Sequence, residues 1–211
     1  MTRVERGRGD KKALLLEAAK RSFLLHGYRR TSVDDVAREA GVAKGTVYLY
    51  FKSKEEIFRA VSAALIGKYL EAAERAAASE GPVEERLAAA LEAKVLTVHL
   101  LKSSSAHGQE LVDSSHAVSG DLYAASYGPF VKVLAKILRE VHLSIPATEA
   151  AWMVFRAAMS AGFSPEPPPP PAPEVQKRLR ALAGVMVRGL RADGMGAIAG
   201  PRACEPVRSR A

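Results

Sequence analysis

The sequence has 211 residues and a formal net charge of +8 at pH 7, from 31 lysines and arginines against 23 aspartates and glutamates. One or two domains are expected at this length. The single cysteine, Cys204, excludes a disulfide framework within one chain and fits a reducing compartment. No apolar run approaches the ~20 residues of a membrane span, and the charged N-terminus lacks a signal-peptide core. We therefore expect a cytoplasmic protein with no membrane partner.

The positive charge is concentrated toward the two ends of the chain. Residues 1–60 carry 14 lysines and arginines against 8 acids, residues 61–164 carry 9 against 11, and the last 47 residues carry 8 against 4. A localised basic region attracts a polyanion such as nucleic acid. Solvated surface lysines are the alternative that charge alone leaves open.

The first helix is expected to follow a short N-terminal arm. Residues 1–9, MTRVERGRG, predict a disordered basic arm. Asp10 is a candidate N-cap, and the helix is expected to run to His26 and stop at Gly27. Its core face is marked by three apolar residues at helical spacing: Leu15, Ala19 and Phe23.

Two short helices joined by a tight turn are predicted next. Ser32 is a candidate N-cap for the first of them, with Asp35 three residues later. Gly41 then breaks the helical pattern where a sharp turn needs a positive φ. The second helix, residues 44–51, is expected to leave four side chains at the surface: Lys44, Thr46, Tyr48 and Tyr50. This arrangement is typical of a DNA-binding helix-turn-helix, although an ordinary helical hairpin has the same pattern.

The detailed string of residues 15–58 resembles the DNA-binding segment of the tetracycline-repressor (TetR) family, in order and without gaps. The match includes Gly-Tyr after the first helix, the Ala-Gly-Val turn, the Lys-Gly-Thr opening of the next helix and the run Tyr-x-Tyr-Phe-Lys-Ser-Lys-Glu-Glu. The resemblance implies an all-α protein. An N-terminal three-helix helix-turn-helix domain would bind DNA, and a C-terminal helical domain would bind a ligand and form the dimer.

The resemblance also implies which residues contact a double-stranded DNA operator: Ser32, Ala43, Lys44, Gly45, Thr46, Tyr48, Tyr50 and Lys54. Lysines and a helix N-terminus suit phosphate, and Thr46 and Tyr50 are candidates for reading base edges. Leu49 stands where the family often has an aromatic residue, and Val33 where it often has a hydroxyl. These two departures leave the base preference open.

A long fourth helix is predicted to connect the two domains. Ser53 and Glu56 form a capping box, so the helix begins near Lys54 and continues to about Ser79. Its length would be roughly 35–40 Å at 1.5 Å per residue. We place the DNA-binding domain at residues 10–56 and the effector-binding and dimerisation domain at residues 57–192, with this helix as the mechanical link.

Five further helices are expected after the Gly81-Pro82 break, over residues 83–102, 109–118, 121–141, 147–163 and 174–190. Gly128-Pro129 is expected to kink or divide the third of them. Residues 164–173, SPEPPPPPAP, predict an extended polyproline II connector, with docking to an SH3-like groove as the alternative. Residues 193–211 have no amphipathic period and are expected to be a disordered tail.

In the family, the second domain encloses a small-molecule pocket, and its last two helices pair with those of a second subunit. Candidate pocket residues here are His99, Tyr123, Tyr127, Phe130, Trp152, Phe155 and Met159. Their side chains favour an apolar or aromatic effector. The same residues at helical spacing equally suit a plain core.

Catalytic and metal-binding patterns do not emerge from the sequence. One group rich in histidine and acidic residues is a candidate metal site: His99, His107, Glu110, Asp113 and His116. It has neither an HExxH motif nor paired cysteines, and no GxSxG, P-loop or GxGxxG string occurs elsewhere. We expect no metal, no cofactor and no enzyme activity.

The expected function is a dimeric transcription regulator, most often a repressor released from a palindromic operator by a small molecule. This expectation follows from the family resemblance and from the basic N-terminal region. The alternative is a binding or interaction protein of the same fold that does not recognise specific DNA.

Overall fold

The computed structural model describes residues 3–161 and 169–192, with side chains from Asp10 onward. The described chain folds into helices α1 (Arg3–His26), α2 (Val33–Glu39), α3 (Lys44–Tyr48), α4 (Lys54–Ala78), α5 (Val83–Ser103), α6 (Gly108–Leu138), α7 (Ala147–Met159) and α8 (Ala172–Leu190). An isolated β-bridge between Leu143 and Arg191 is the one extended pairing in these residues. The predicted all-α class is confirmed.

Helices α1 to α3 and the start of α4 pack around one hydrophobic cluster, which we call the N-terminal core. Its buried members are Leu15, Ala19, Phe23, Tyr28, Val36, Ala37, Val47, Phe51, Ile57, Phe58, Val61 and Leu111. The Phe58 ring lies 5.3 Å from the Phe23 ring and 4.5 Å from the Tyr28 ring, centroid to centroid. The apolar stripe predicted for α1 is therefore confirmed. Leu111, however, comes from α6, far along the chain.

Helix α1 begins earlier than we expected. It starts at Arg3, not at Asp10, so the prediction of a disordered arm is wrong for residues 3–9. Gly7 and Gly9 lie in this segment, and each lowers helix propensity by only about 1 kcal/mol relative to alanine. Glycine thus weakens a helix without ending it, whereas a proline would have ended it.

Helix α4 belongs to both halves of the molecule. The Ser53 hydroxyl accepts a hydrogen bond from the Glu56 N–H at 3.2 Å, so the predicted N-cap is confirmed. The predicted capping box is only half formed, because the Glu56 carboxylate accepts from the Lys52 N–H at 2.6 Å. The helix then continues for 25 residues, or roughly 37 Å. Ile57 and Phe58 lie in the N-terminal core, whereas Tyr69 and Ala73 lie in a second cluster.

This second cluster, the C-terminal core, is formed by α4 to α8. Its largest buried side chains include Tyr69, Leu87, Leu91, Phe130, Leu134, Ile137, Leu138, Phe155 and Leu179. Helical spacing predicts four inward positions on α5. Leu87, Leu91 and Val95 are buried, whereas Val98 is only partly buried.

Helix α6 is longer than predicted and bends at a different place. The expected helices 109–118 and 121–141 are joined into one element, whose only non-helical backbone angles occur at Ser119 (φ −130°, ψ 17°). The break proposed at Gly128-Pro129 is not formed, although Pro129 lies inside the helix. Phe130, Val131 and Leu134 are buried right after it, and packing holds the chain helical where proline lacks a hydrogen bond.

The last two helices differ slightly from their predicted bounds. Helix α7 ends at Met159, and α8 begins at Ala172 with Pro173 in its first turn, where a missing N–H is tolerated. Pro171 has φ −65° and ψ 151°, close to the predicted polyproline II geometry. Residues 164–168 of that prediction, residues 162–163 of the predicted helix 147–163 and the tail at 193–211 lie outside the described residues. No helix in the described part of the chain has the length and hydropathy to cross a membrane.

Candidate functional site

The turn between α2 and α3 is built as the sequence predicts. The Ser32 hydroxyl accepts a hydrogen bond from the Asp35 N–H at 3.2 Å, and the Asp35 carboxylate accepts one from the Ser32 N–H at 2.9 Å. These two bonds complete a capping box, and the bonds from Ser32 lower the pKa of Asp35. Gly41 has φ +66°, the left-handed conformation expected of it. Ser32 is thus occupied as a cap.

Helix α3 presents one face to the core and the other to solvent. Val47 is fully buried and Phe51, just after the helix, is 2% exposed. The opposite face exposes Ala43, Lys44, Gly45 and Tyr48, with Thr46 and Tyr50 partly exposed. The helix ends at Tyr48 because the N–H groups of Tyr50 and Phe51 both bond to the Val47 carbonyl. A short, firmly anchored helix with an exposed cation, a hydroxyl and two phenols can approach the major groove of DNA.

Lys44 on this face is paired with an acid that sequence reasoning missed. Its Nζ lies 2.8 Å from Asp34 Oδ2, and both side chains are half exposed. The hydrogen bond to Asp34 raises the pKa of Lys44. Asp34 lies in the first turn of α2, so its carboxylate competes with any phosphate that Lys44 could contact.

Lys54 ties the start of α4 to the turn after α1. Its Nζ donates to the backbone carbonyls of Tyr28 and Arg29 at 3.1 and 3.2 Å and lies 4.7 Å from the centre of the Tyr28 ring. Burial raises the pKa of Tyr28 to about 12, with a further contribution from Glu55. The predicted phosphate-binding lysine therefore also fixes the position of the turn.

A cavity of about 260 Å³ lies between α5, α6 and α7. Its lining comprises Lys94, Val98, Leu101, Lys102, Val112, Ser115, His116, Tyr123, Tyr127 and Met159. Of the seven predicted pocket residues, the cavity includes Tyr123, Tyr127 and Met159. The other four do not line it: Phe130 and Phe155 are buried in the C-terminal core, Trp152 packs on Phe155, and His99 is buried in α5.

Lys94 is the residue of this cavity that sequence reasoning missed. Its side chain is 2% exposed, and its Nζ donates to the Tyr69 hydroxyl at 2.9 Å. Burial lowers the pKa of Lys94 to about 8. The signal was present in the spacing, since Lys94 lies between Leu91 and Val98 on the inward stripe of α5. A lysine on such a stripe is buried unless the helix turns away from the core.

Three contacts join α6 to the N-terminal part of the molecule. Arg59 forms a bidentate ion pair with Asp121, with both N–O distances 2.7 Å, and donates to the Val118 carbonyl at 2.8 Å. This pairing lowers the pKa of Asp121 to about 2. Glu110 accepts a hydrogen bond from the Arg29 N–H, and Leu111 enters the N-terminal core. The half of α6 that precedes Ser119 thus contacts the helix-turn-helix unit and lines the cavity.

The histidines and acids considered as metal ligands do not converge. His107 Nδ1 lies 3.4 Å from Glu110, but no group of three or more potential ligands occurs within residues 3–161 and 169–192. His99 is buried in the C-terminal half of α5, away from this pair.

Known proteins share both the helix-turn-helix string and the fold. The profile described as "Bacterial regulatory proteins, tetR family" matches residues 15–61. The HTH-type transcriptional repressor KstR2 of Rhodococcus jostii is 32% identical over 163 residues, which cover 74% of this chain and 69% of that protein. An uncharacterized HTH-type transcriptional regulator of Bacillus subtilis, YhgD, is 42% identical over 82 residues. That match covers 39% of this chain and less than half, 43%, of the relative.

Solved structures extend the similarity to the whole fold. A crystal structure of a TetR-family regulator from Mesorhizobium loti superposes with a TM-score of 0.62 at 20% identity, covering 88% of this chain and 97% of that one. The fatty acid degradation regulator FadR of Bacillus halodurans gives 0.60 at 19% identity, covering 86% and 96%. At these identities the likeness concerns the fold alone.

Proposed function

The chain belongs to the TetR family of bacterial regulatory proteins and is a helix-turn-helix transcription regulator, and from this premise we propose a more specific function. It acts as a homodimeric repressor on a palindromic operator, and a small molecule in the α5–α6–α7 cavity releases it. The observation that carries the DNA-binding part is the anchoring of α3 by buried Val47 beneath an exposed Lys44 and Tyr48.

Helix α3 would enter the major groove of the operator. Thr46 and Tyr50 would read base edges, and Lys44, Tyr48 and Lys54 would contact phosphates. The remaining candidates, Ser32, Ala43 and Gly45, would bring the backbone close to the DNA, since their side chains are small. Support comes from the exposure of this face and from the excess of lysine and arginine in residues 1–60.

The dimer would form through α7 and α8. Met153 on α7 is 47% exposed and Val185 on α8 is 58% exposed, while the opposite side of α8 is buried in the C-terminal core. Large apolar side chains left at the surface of neighbouring helices favour association with a second copy. Two copies would place their α3 helices about 34 Å apart, one turn of DNA.

Coupling between cavity and DNA would run through the first half of α6. Val112, Ser115 and His116 line the cavity, while Leu111 on the same half packs in the N-terminal core. A ligand that displaces this segment would therefore move the helix-turn-helix units relative to each other, with α4 following. A differential binding free energy of about 1–3 kcal/mol suffices for a 5–150-fold change in operator affinity.

The proposal is tested by fluorescence anisotropy on the DNA that flanks the protein's own gene, over a salt series. We expect sequence-selective binding with a steep salt dependence. The double variant Lys44→Ala/Tyr48→Ala should raise the Kd about 100-fold or more, at about 1–3 kcal/mol for each side chain. Because both residues are exposed, its thermal unfolding should match that of the wild type.

The matched control is Lys132→Ala, which removes an exposed lysine from α6. It should bind the operator nearly as well as the wild type. A different outcome would be that the wild type binds flanking and random DNA equally well and that the double variant binds both with the same affinity. This outcome would favour a small-molecule-binding or interaction protein of the same fold.

A further inference from the structure

The buried end of the α5–α6–α7 cavity is marked by the ammonium group of Lys94. Its Nζ lies 4.0 Å from the centroid of the Tyr69 ring, 5.1 Å from that of Tyr127, 5.5 Å from that of Phe130 and 5.8 Å from that of Phe155. The faces of these rings stabilise a cation electrostatically. The lysine is thus held in a cage of aromatic rings, with the Tyr69 hydroxyl as its hydrogen-bond acceptor.

Lys94 has no acidic partner among the residues that the structure describes. Each of the described ion pairs involves another cation, and burial lowers the pKa of Lys94. The Tyr69 hydroxyl cannot supply a negative charge, because it donates its own proton to Ser126 Oγ at 2.6 Å. A buried ammonium without a counter-ion is costly, and such groups are usually paired or functional. Among the described residues, the Tyr69 hydroxyl accepts a hydrogen bond from one of the three N–H donors of this ammonium, so donors remain for an anionic ligand.

The charged side chains in the cavity lining all carry positive charge. Lys102 lines the cavity with Lys94, and no aspartate or glutamate among the described residues does. The remaining walls are apolar or aromatic, with Val98, Met159 and Tyr127 among them. An interior that combines a buried cation, a cationic rim and apolar walls is complementary to a molecule with an anionic head and an apolar body.

We propose that the cavity binds a small amphipathic carboxylic acid, with the carboxylate at Lys94 and the apolar body between Tyr127 and Met159. This inference rests on the proposed function, in which the same cavity holds the effector, and it refines the expectation of an apolar or aromatic effector by adding an acidic group. One buried lysine, without an arginine or a second buried cation in the described lining, matches a singly charged head better than a phosphate ester.

The test is isothermal titration calorimetry of the full-length protein at pH 7 with two matched pairs of probes. Each pair combines a carboxylate with its neutral alcohol: octanoate with 1-octanol, and 2-naphthoate with 2-naphthalenemethanol. We expect the wild type to bind at least one carboxylate about ten-fold or more tightly than its alcohol, the range of a charge-assisted hydrogen bond. In Lys94→Met this preference should disappear, while the affinity for the alcohol stays within about three-fold.

Two further variants keep the result interpretable. Lys102→Met removes a lysine from the exposed rim and should retain most of the preference. Tyr69→Phe leaves the ammonium in place but removes its hydroxyl acceptor, and should retain the preference. The proposal is overturned if neither carboxylate binds more tightly than its alcohol, if none of the four probes binds at millimolar concentration, or if Lys94→Met keeps the preference.

The measurement contains no DNA, which separates it from the test of the proposed function. A carboxylate preference that depends on Lys94, in a protein without operator selectivity, would support the site and overturn the regulator proposal. Operator binding without any carboxylate preference would support the regulator proposal and overturn the proposed carboxylate site.

Discussion

Glu110, in the first turn of α6, accepts a hydrogen bond from the backbone N–H of Arg29 at 3.1 Å, so an acid late in the chain closes the turn that follows α1. The same carboxylate lies against Gly27, where a Cβ atom would approach Glu110 Oε2 to 2.5 Å. Gly27 also has φ +82°. Glycine is therefore favoured at this position by its backbone conformation, and a larger residue would also have to displace the Glu110 carboxylate.

The first prediction compares two glycine-to-alanine variants. Gly41 has φ +66°, but a Cβ atom added there would meet no other atom within 4 Å, so Gly41→Ala should cost about 1–2 kcal/mol from backbone strain alone. Gly27→Ala should cost about 1 kcal/mol more, because it also displaces the Glu110 carboxylate. Urea denaturation measures both. Equal costs for the two variants would show that the Glu110 contact does not contribute to stability.

The second prediction concerns the Asp34–Lys44 pair on the proposed DNA face. Asp34→Asn removes the carboxylate that competes for Lys44, and should tighten operator binding about two- to five-fold, or about 0.5–1 kcal/mol. The control is Glu71→Gln, which makes the same charge change in the second half of α4 and should alter affinity less. Anisotropy titrations at one salt concentration compare the two. If Asp34→Asn binds the operator no more tightly than Glu71→Gln, the Asp34 carboxylate does not compete with DNA phosphate for Lys44.

The third prediction is a pH dependence of stability caused by Lys94. Burial lowers the pKa of Lys94 from 10.5 to about 8, so between these values the unfolded chain binds more protons than the folded one. The stability of the wild type therefore rises with pH across this window, and the whole cost of the buried charge applies at pH 7. Lys94→Met should be more stable than the wild type at pH 7 by about 2 kcal/mol.

This advantage should shrink as the pH rises from about 8 to 10, because the wild-type amine loses its proton. Urea denaturation at four pH values across roughly 7 to 10 follows it, with Lys102→Met as the control for loss of a lysine from the same cavity. An advantage that stays constant over this range would mean that the buried amine does not titrate there.

The fourth prediction concerns the bend in α6. The Ser119 hydroxyl is fully buried and has no hydrogen-bond partner within the part of the chain that the structure describes. Ser119→Ala should stabilise the protein by about 1 kcal/mol, because it removes a polar group that is desolvated without compensation. Ser115→Ala is the matched control, since that buried hydroxyl donates to the Leu111 carbonyl at 2.7 Å. Urea denaturation should move the two variants in opposite directions, and a loss of stability in both would contradict the prediction.

Sequence reasoning was most successful where the determinants are local. The caps at Ser32 and Ser53 and the positive φ of Gly41 depend on residues within one or two turns of each other. Such features are set by backbone geometry and hydrogen bonding, so they can be inferred before the fold is known. The all-α class, by contrast, was what the resemblance of residues 15–58 to the TetR family implied.

The features that escaped prediction depend on residues distant in sequence. The aromatic rings around Lys94 come from α4, α6 and α7, and the carboxylate against Gly27 comes from α6. Phe130 and Phe155 lay on plausible pocket stripes, but the helices turn them into the C-terminal core. Periodicity shows that a face is buried, and it does not show whether a cavity or another side chain covers that face.

The position of Leu111 limits how freely the two halves of this protein could be exchanged. A fragment ending after α4 would lack the leucine that α6 inserts among Phe23, Val61 and their neighbours, together with Glu110. Such a fragment would expose part of its own interior. A hybrid protein that keeps this N-terminal core would therefore have to carry the start of α6 together with α1 to α4, so that the exchangeable unit is discontinuous in sequence.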